Sequence, residues 1–223
     1  MHEMFRTVGQ QVGMQDVRAI LPESIDIFIN IAIIEKARSI VMENTKTTFP
    51  NRVSIQNNFV SPINALRTLY RRKEITITDI TKDVQLSQLD NVFLYTSFAI
   101  RYNNNDSEYK CRFIDGDKLE ETLNDVLNGA SWDYPICSMF NDENNSEYLK
   151  VFINSNSHTP NAIIIKYIAN PAVVKFSKNA AECVNCDLPA YTHFDIVERA
   201  VLKFKASIGA SIESNQQQRR QTS

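Results

Sequence analysis

Glycine is scarce in this chain, with 5 among 223 residues. That is too few for the glycine-rich loop that cradles a nucleotide phosphate, and it argues against an active site built on contorted loops. Histidine is scarcer still: His2, His158 and His193 are all there are. None accompanies a nucleophile in a setting such as G-x-S-x-G. No P-loop, dinucleotide fingerprint or H-E-x-x-H occurs. The chain is therefore expected not to be an enzyme and to need no cofactor. Charge of one sign is lacking too. With 24 basic and 26 acidic residues the formal net charge is -2, which predicts no general affinity for nucleic acid or for an anionic membrane. Long apolar runs are absent: the longest, Ile25 to Ile34, holds Asp26 and Asn30 and is too short to span a bilayer. No basic stretch followed by an apolar run opens the sequence, so no secretory leader is expected. The four cysteines, Cys111, Cys137, Cys183 and Cys186, read as reduced thiols of an intracellularly made protein, because a chain of this length needs no disulfide staples.

What is present is a chain that is 43% hydrophobic, enough for a proper core, and its patterning changes along its length. Residues 1–20 read as a short helix or as an arm that orders on a partner. Pro22-Glu23 opens a strong helix, proline and an acid both being favoured in the first turn. Ile25, Phe28, Ile29, Ala32, Ile33, Ala37 and Ile40 recur at helical spacing, and Ile27, Ile31 and Ile34 make the helix apolar nearly all round. Such a helix is buried on several sides, so part of that burial is expected against another subunit. Ser61-Pro62 is read as the start of a second helix with a basic end at Arg67, Arg71, Arg72 and Lys73, where cations favour the helix dipole.

Strand patterns follow. Glu74 to Ile80 alternates strictly. Asn91 to Tyr102 is apolar on both faces and is expected to be central, with the alternation at Tyr109, Cys111 and Phe113 as its hairpin partner. Asp115 to Leu127 reads as a short helix with Leu119, Leu123, Val126 and Leu127 inward, stopped by Gly129 in a left-handed cap. Tyr148 to Ile153 and Ala162 to Ile168 are further strands. Asn170-Pro171 breaks the last one, and Val173 to Phe176 is read as resuming it. Pro189 precedes a long helix with Phe194, Val197, Ala200, Val201, Phe204 and Ile208 on one face. The last stretch, 213–223, has no apolar residue and is expected to be disordered alone.

Few residues invite a chemical reading. Asp115, Asp117, Glu120 and Glu121 open a helix, where carboxylates suit the dipole, and their order does not fit an EF-hand loop. Cys183 and Cys186 form a C-x-x-C. With His193 and one distant thiol they compose a possible zinc site, and a small zinc-stabilised protein-binding module is the alternative reading of the chain; buried packing is the favoured one. The basic group Arg67, Arg71 and Arg72 suits a helix end, a nucleic-acid backbone or a neighbouring subunit. Arg219 and Arg220 suit a docking arm or a solvated tail. The candidate interface residues are thus Ile27, Ile31, Ile34, Arg67, Arg71, Arg72, Arg219 and Arg220.

The segments Tyr167-Ile168-Ala169-Asn170-Pro171, Cys186-Asp187-Leu188-Pro189 and His193 to Val201 resemble the C-terminal end of neck ring or head-to-tail adaptor proteins of short-tailed, crass-like bacteriophages. The resemblance implies a helical bundle carrying a β-sandwich-like insertion, and a structural virion protein of the neck or tail assembled in the host cytoplasm. It implies a ring of about twelve copies matching the portal, with the portal and other neck or tail rings as partners. Genomic DNA would pass through the lumen without sequence readout, and no membrane is involved.

The fold expected is α+β: a bundle formed by the N-terminal helices and the C-terminal helix, with a strand lobe between them. The boundaries expected are 1–73 for the arm and first helices, 74–180 for the strand lobe, 181–212 for the returning helix and 213–223 for the tail.

Overall fold

The computed structural model describes residues 1–11, 20–46, 64–77, 83–103, 105–154 and 158–221. The fold is mixed α+β, as its patterning predicts. It comprises two compact units, Met1–Leu69 with Pro171–Ser223, and Tyr70–Asn170. The divisions fall at 69/70 and 170/171, four and ten residues before the expected 73/74 and 180/181.

The first unit is helical. Helices α1 (His2–Gln11) and α2 (Pro22–Lys46) pack with α4 (His193–Gln221). Pro22 begins α2, and the Leu21 carbonyl accepts from Ser24 N and Ile25 N to start its hydrogen-bond ladder. One face of α2 supplies Ile25, Ile29, Ile33 and Ile40 to a core shared with Phe5 of α1 and Ile196, Val197 and Val201 of α4. The Phe204 ring stands edge-on to Phe5 and Phe28, at 5.9 and 5.2 Å between centroids, a favoured aromatic geometry. Two polar residues interrupt the apolar run of α2, and both hold the extended strap after Pro171. Asn30 Nδ2 donates to Val174 O at 2.9 Å and its Oδ1 accepts from Val174 N at 2.7 Å. Asp26 accepts from Phe176 N at 3.0 Å and pairs with His2 at 2.7 Å.

The second unit is a β-sandwich of two four-stranded sheets. One has the order β1-β8-β3-β4 and the other β2-β7-β6-β5. The strands are β1 Tyr70–Thr76, β2 Val84–Gln85, β3 Val92–Tyr102, β4 Asn105–Lys110, β5 Arg112–Phe113, β6 Ile136–Asn141, β7 Glu147–Phe152 and β8 Pro160–Ala169. All pairings are antiparallel except β5 with β6. Alternate residues turn inward, as the two-residue period of a strand requires. Ile75, Phe98, Ile100, Ile163 and Ile165 of the first sheet meet Val84, Cys137 and Leu149 of the second in one core. The opposite face of the first sheet carries a lattice of charges. Glu74 binds Arg101 at 2.6 Å and Arg72 at 3.3 Å, while Glu108 binds Arg72 at 2.9 Å and Lys166 at 2.7 Å. Helix α3 (Gly116–Asn124) follows β5 and packs on β6.

Several sequence expectations change. The helix expected through Lys73 ends in a 3-10 turn at Arg67–Leu69, and Tyr70–Thr76 is strand β1. Pairing with β8 from Tyr70↔Ile168 to Thr76↔Ala162 overrides local helix propensity. The start expected at Ser61-Pro62 lies outside the described residues, as does 78–80 of the alternating run. Phe113 does not continue the hairpin: after Cys111 the chain leaves β4 and enters the second sheet. Helix α3 stops at Asn124, and Val126 and Leu127 face solvent. Gly129 is not in the left-handed region; it is needed because a Cβ there would meet Asp125 O at 2.8 Å. Val173 to Phe176 forms no strand, only a single bridge between Lys175 and Val184, since its polar backbone groups go to Asn30 and Asp26. On α4, Phe194 and Ile208 are exposed and Ile196 is buried in their place. The helix runs on to Gln221 through the stretch expected to be disordered; its Glu, Gln and Arg residues are good helix formers that extend an established helix without a new nucleus.

Candidate subunit interface

The most distinctive surface feature of the helical unit is on α2. Its core face is complete, yet the opposite side remains apolar. Ile27 is 58% exposed, Ile31 41%, Ile34 41% and Met42 59%. Steps of four, three and eight residues place these side chains in one lengthwise stripe, interrupted by exposed Arg38. The polar contacts of α2 lie away from it: Lys36 with Asp195 at 2.8 Å and Glu35 with Lys203 at 2.7 Å tie α2 to α4. Lys36 holds the Asp195 carboxyl below the usual carboxylate range. Three of the sequence-derived candidates, Ile27, Ile31 and Ile34, thus fall together on one solvent-facing stripe. On α4, Phe194 and Leu202 are exposed on either side of Glu198, a more mixed surface.

The basic candidates do not come together. Arg67 is exposed in the 3-10 turn at the end of the first unit's N-terminal segment, whereas Arg71 and Arg72 belong to β1 of the sandwich. Arg71 Nη1 donates to Tyr70 O at 3.1 Å. Arg72 is engaged by two carboxylates, and its hydrogen bond to Glu108 raises its pKa further. A guanidinium so committed is a structural cross-strand tie rather than a phosphate ligand. Arg219 and Arg220 lie near the end of α4.

The thiols are placed for packing. Cys111 and Cys137 are buried in the sandwich, and hydrogen bonding to Cys137 together with burial pushes the Cys111 thiol up. Cys183 Sγ donates to Ser177 O at 3.1 Å and accepts from Ser177 N at 3.3 Å, closing a local turn. Burial pushes Cys186 up as well. Among the described residues no three His, Cys, Asp or Glu side chains group as a metal site requires. His193 Nε2 contacts Leu188 O at 2.9 Å at the entry to α4, and His158 stacks on Trp132 at 4.5 Å.

Sequence reading missed two surface features of the sandwich: the Val126-Leu127 tip and an apolar groove beside Phe113. The tip had a local signal, an aspartate followed three and four residues later by Asn128-Gly129, a turn-forming arrangement. The groove had none, since it joins strands distant in sequence. Among the described residues no helix is long and apolar enough to cross a membrane. No protein-family model matches the chain, and no curated protein matches it significantly.

Proposed function

We propose that this protein is a structural subunit that closes into a ring with copies of itself, of the neck ring or head-to-tail adaptor type found in short-tailed, crass-like bacteriophages. The observation that carries the reading is the α2 stripe of Ile27, Ile31, Ile34 and Met42, set opposite a completed core face. An aligned apolar stripe of this kind marks a protein–protein contact. The sequence resemblance at Tyr167 to Pro171, Cys186 to Pro189 and His193 to Val201 names the class of assembly. The arrangement of a helical unit with an inserted β-sandwich is what that class leads one to expect.

The mechanism is geometric. Each copy meets its neighbour through different patches on its two sides, so the contact is heterologous and closes on itself after a fixed number of copies. The ring joins the portal to downstream tail components in the virion, and DNA passes through a water-filled lumen. The near-neutral charge of the chain suits passage without tight binding, because phosphate affinity scales with the number of cations presented.

Replacing Ile27 and Ile31 together by aspartate tests the reading. Both side chains are exposed in the single chain, so the variant is expected to fold, with the far-UV circular dichroism spectrum of the wild type. Sedimentation velocity is expected to show wild-type protein as a species of many copies and the variant as a monomer. A variant that assembles as wild type does would overturn the role of the stripe.

A further inference from the structure

The sandwich carries a second pair of surface features that the α2 stripe does not use. After α3 ends at Asn124, the chain makes a tight turn held from several directions. Asp125 Oδ1 accepts from Leu127 N at 2.8 Å and Asn128 N at 3.3 Å, and its Oδ2 accepts from Asn128 Nδ2 at 2.7 Å. Gly129 N donates to Asp125 O at 2.8 Å. Arg112 Nη2 donates to Asn128 O at 2.6 Å and Gly129 O at 3.1 Å. The bonds that its carboxylate accepts from the Asn128 side chain and from the Leu127 and Asn128 backbone hold Asp125 below its ordinary range. The product is a fixed loop whose tip presents two aliphatic side chains to water: Val126 is 98% exposed and Leu127 92%. Aliphatic side chains in a solvated loop gain nothing from such presentation, and a rigid tip loses little entropy on docking.

The same unit has a groove of about 770 Å³. Leu94 and Phe98 of β3, Phe113 and Ile114 from β5 onward, and Met139 of β6 supply its apolar walls. It exists because β3 outruns its neighbour. The β3–β4 register begins at Ala99↔Lys110, so among the described residues the stretch from Leu94 to Ser97 pairs with β8 only. Leu94 and Phe113 remain exposed there. The chain's own tip does not fill the groove, given its near-complete exposure.

We propose that the Val126-Leu127 tip of one copy inserts into the Phe113 groove of the next copy's sandwich. This rests on the ring reading and names a second contact between ring neighbours. Two features favour a copy of this chain as occupant over an unrelated protein. The apolar tip and the apolar groove are complementary and are carried by one chain. Their charges also match: exposed Asp117, Glu120 and Glu121 outnumber exposed Lys118 on the helix leading to the tip, and exposed Lys110 stands at the rim of the groove. Tip and groove present different apolar side chains and adjoin at Arg112, which anchors the tip turn and lines the groove; each copy can give its tip to one neighbour and receive the tip of another, the directional contact a ring requires. Two side chains bury far less than the roughly 1,200–2,000 Å² of a stable interface, so the contact acts together with the α2 stripe through effective concentration.

The test compares wild type with a Val126→Asp, Leu127→Asp double variant by sedimentation velocity over a concentration series. A cysteine pair is run beside it, with Leu127→Cys protein mixed with Phe113→Cys protein and oxidised. Because both tip side chains are in solvent, the double variant is expected to fold, with the far-UV circular dichroism spectrum of the wild type. The concentration for half-assembly is expected to rise about tenfold or more, each tenfold step corresponding to roughly 1.4 kcal/mol. The mixture is expected to give a covalent dimer that neither cysteine variant gives alone. Assembly of the double variant at the wild-type concentration would overturn the tip contact and leave the ring reading standing. Loss of assembly without the mixed disulfide would overturn the groove as socket. A wild type that never exceeds a monomer would remove both readings, and one that stops at a pair of copies would overturn the directional contact.

Discussion

At the scale of single residues, the charges on the outer face of the first sheet are the clearest case of side chains with a defined task. Glu108 sits between Lys166 and Arg72, on three different strands. Hydrogen bonds from Lys166 and Arg72 hold its carboxyl below the ordinary range. A depressed carboxyl contributes stability above the unfolded-state pKa of about 4.3, and that stability is lost as pH falls through the folded value. Glu108→Gln is therefore expected to lower the melting temperature at pH 7, with the difference from wild type closing in acid below pH 4 or so. A difference that is constant across that range would assign the effect to packing. Gly129 is a second such residue, because its missing Cβ lets the turn pass Asp125 O at 2.8 Å. Gly129→Ala forces that turn open and is expected to cost about 1–3 kcal/mol, as overpacking does, read as a shift of the urea midpoint.

At the scale of elements, the informative one is α2, which is apolar all round yet serves two different surfaces. Its polar interruptions fasten the strap that follows β8 to the helix. Asn30 satisfies both backbone groups of Val174, and Asn30→Ala leaves them without that partner. A loss of roughly 1–3 kcal/mol is expected, in line with an unmet buried donor or acceptor, measured by chemical denaturation; a loss under about 0.3 kcal/mol would show that the strap is held elsewhere. Much of this level was legible in the sequence. Helical periodicity located α2 and the body of α4, apolar strand-like runs located β3, β7 and β8, and the excess of isoleucine on α2 pointed to Ile27, Ile31 and Ile34 as interface candidates. The failures share a cause. Tyr70 to Lys73 reads as the basic end of a helix until β8 pairs with it, and Phe113 alternates in step with Tyr109 although it belongs to the other sheet. Local pattern carries no information about which distant strand will offer hydrogen bonds. Val126 and Leu127 fail in the opposite sense: hydrophobicity predicts burial, and the Asp125 turn places them outside.

At the scale of the whole molecule, the proposed ring reading gives each of the two units a task. The helical unit has a finished core and an apolar stripe beyond it, and the sandwich has a finished core with a tip and a groove beyond it. Each unit is complete as a folded body and incomplete as a surface. That combination is what a directional, self-complementary assembly requires. The most direct measurement is the mass of purified wild-type protein in solution, alone and mixed with the portal, with negative-stain images of any large species. A closed ring of about a dozen copies in either sample is the expected result. A monomer in both samples, at concentrations well above those in an assembling virion, would contradict the ring and with it the reading of the α2 stripe.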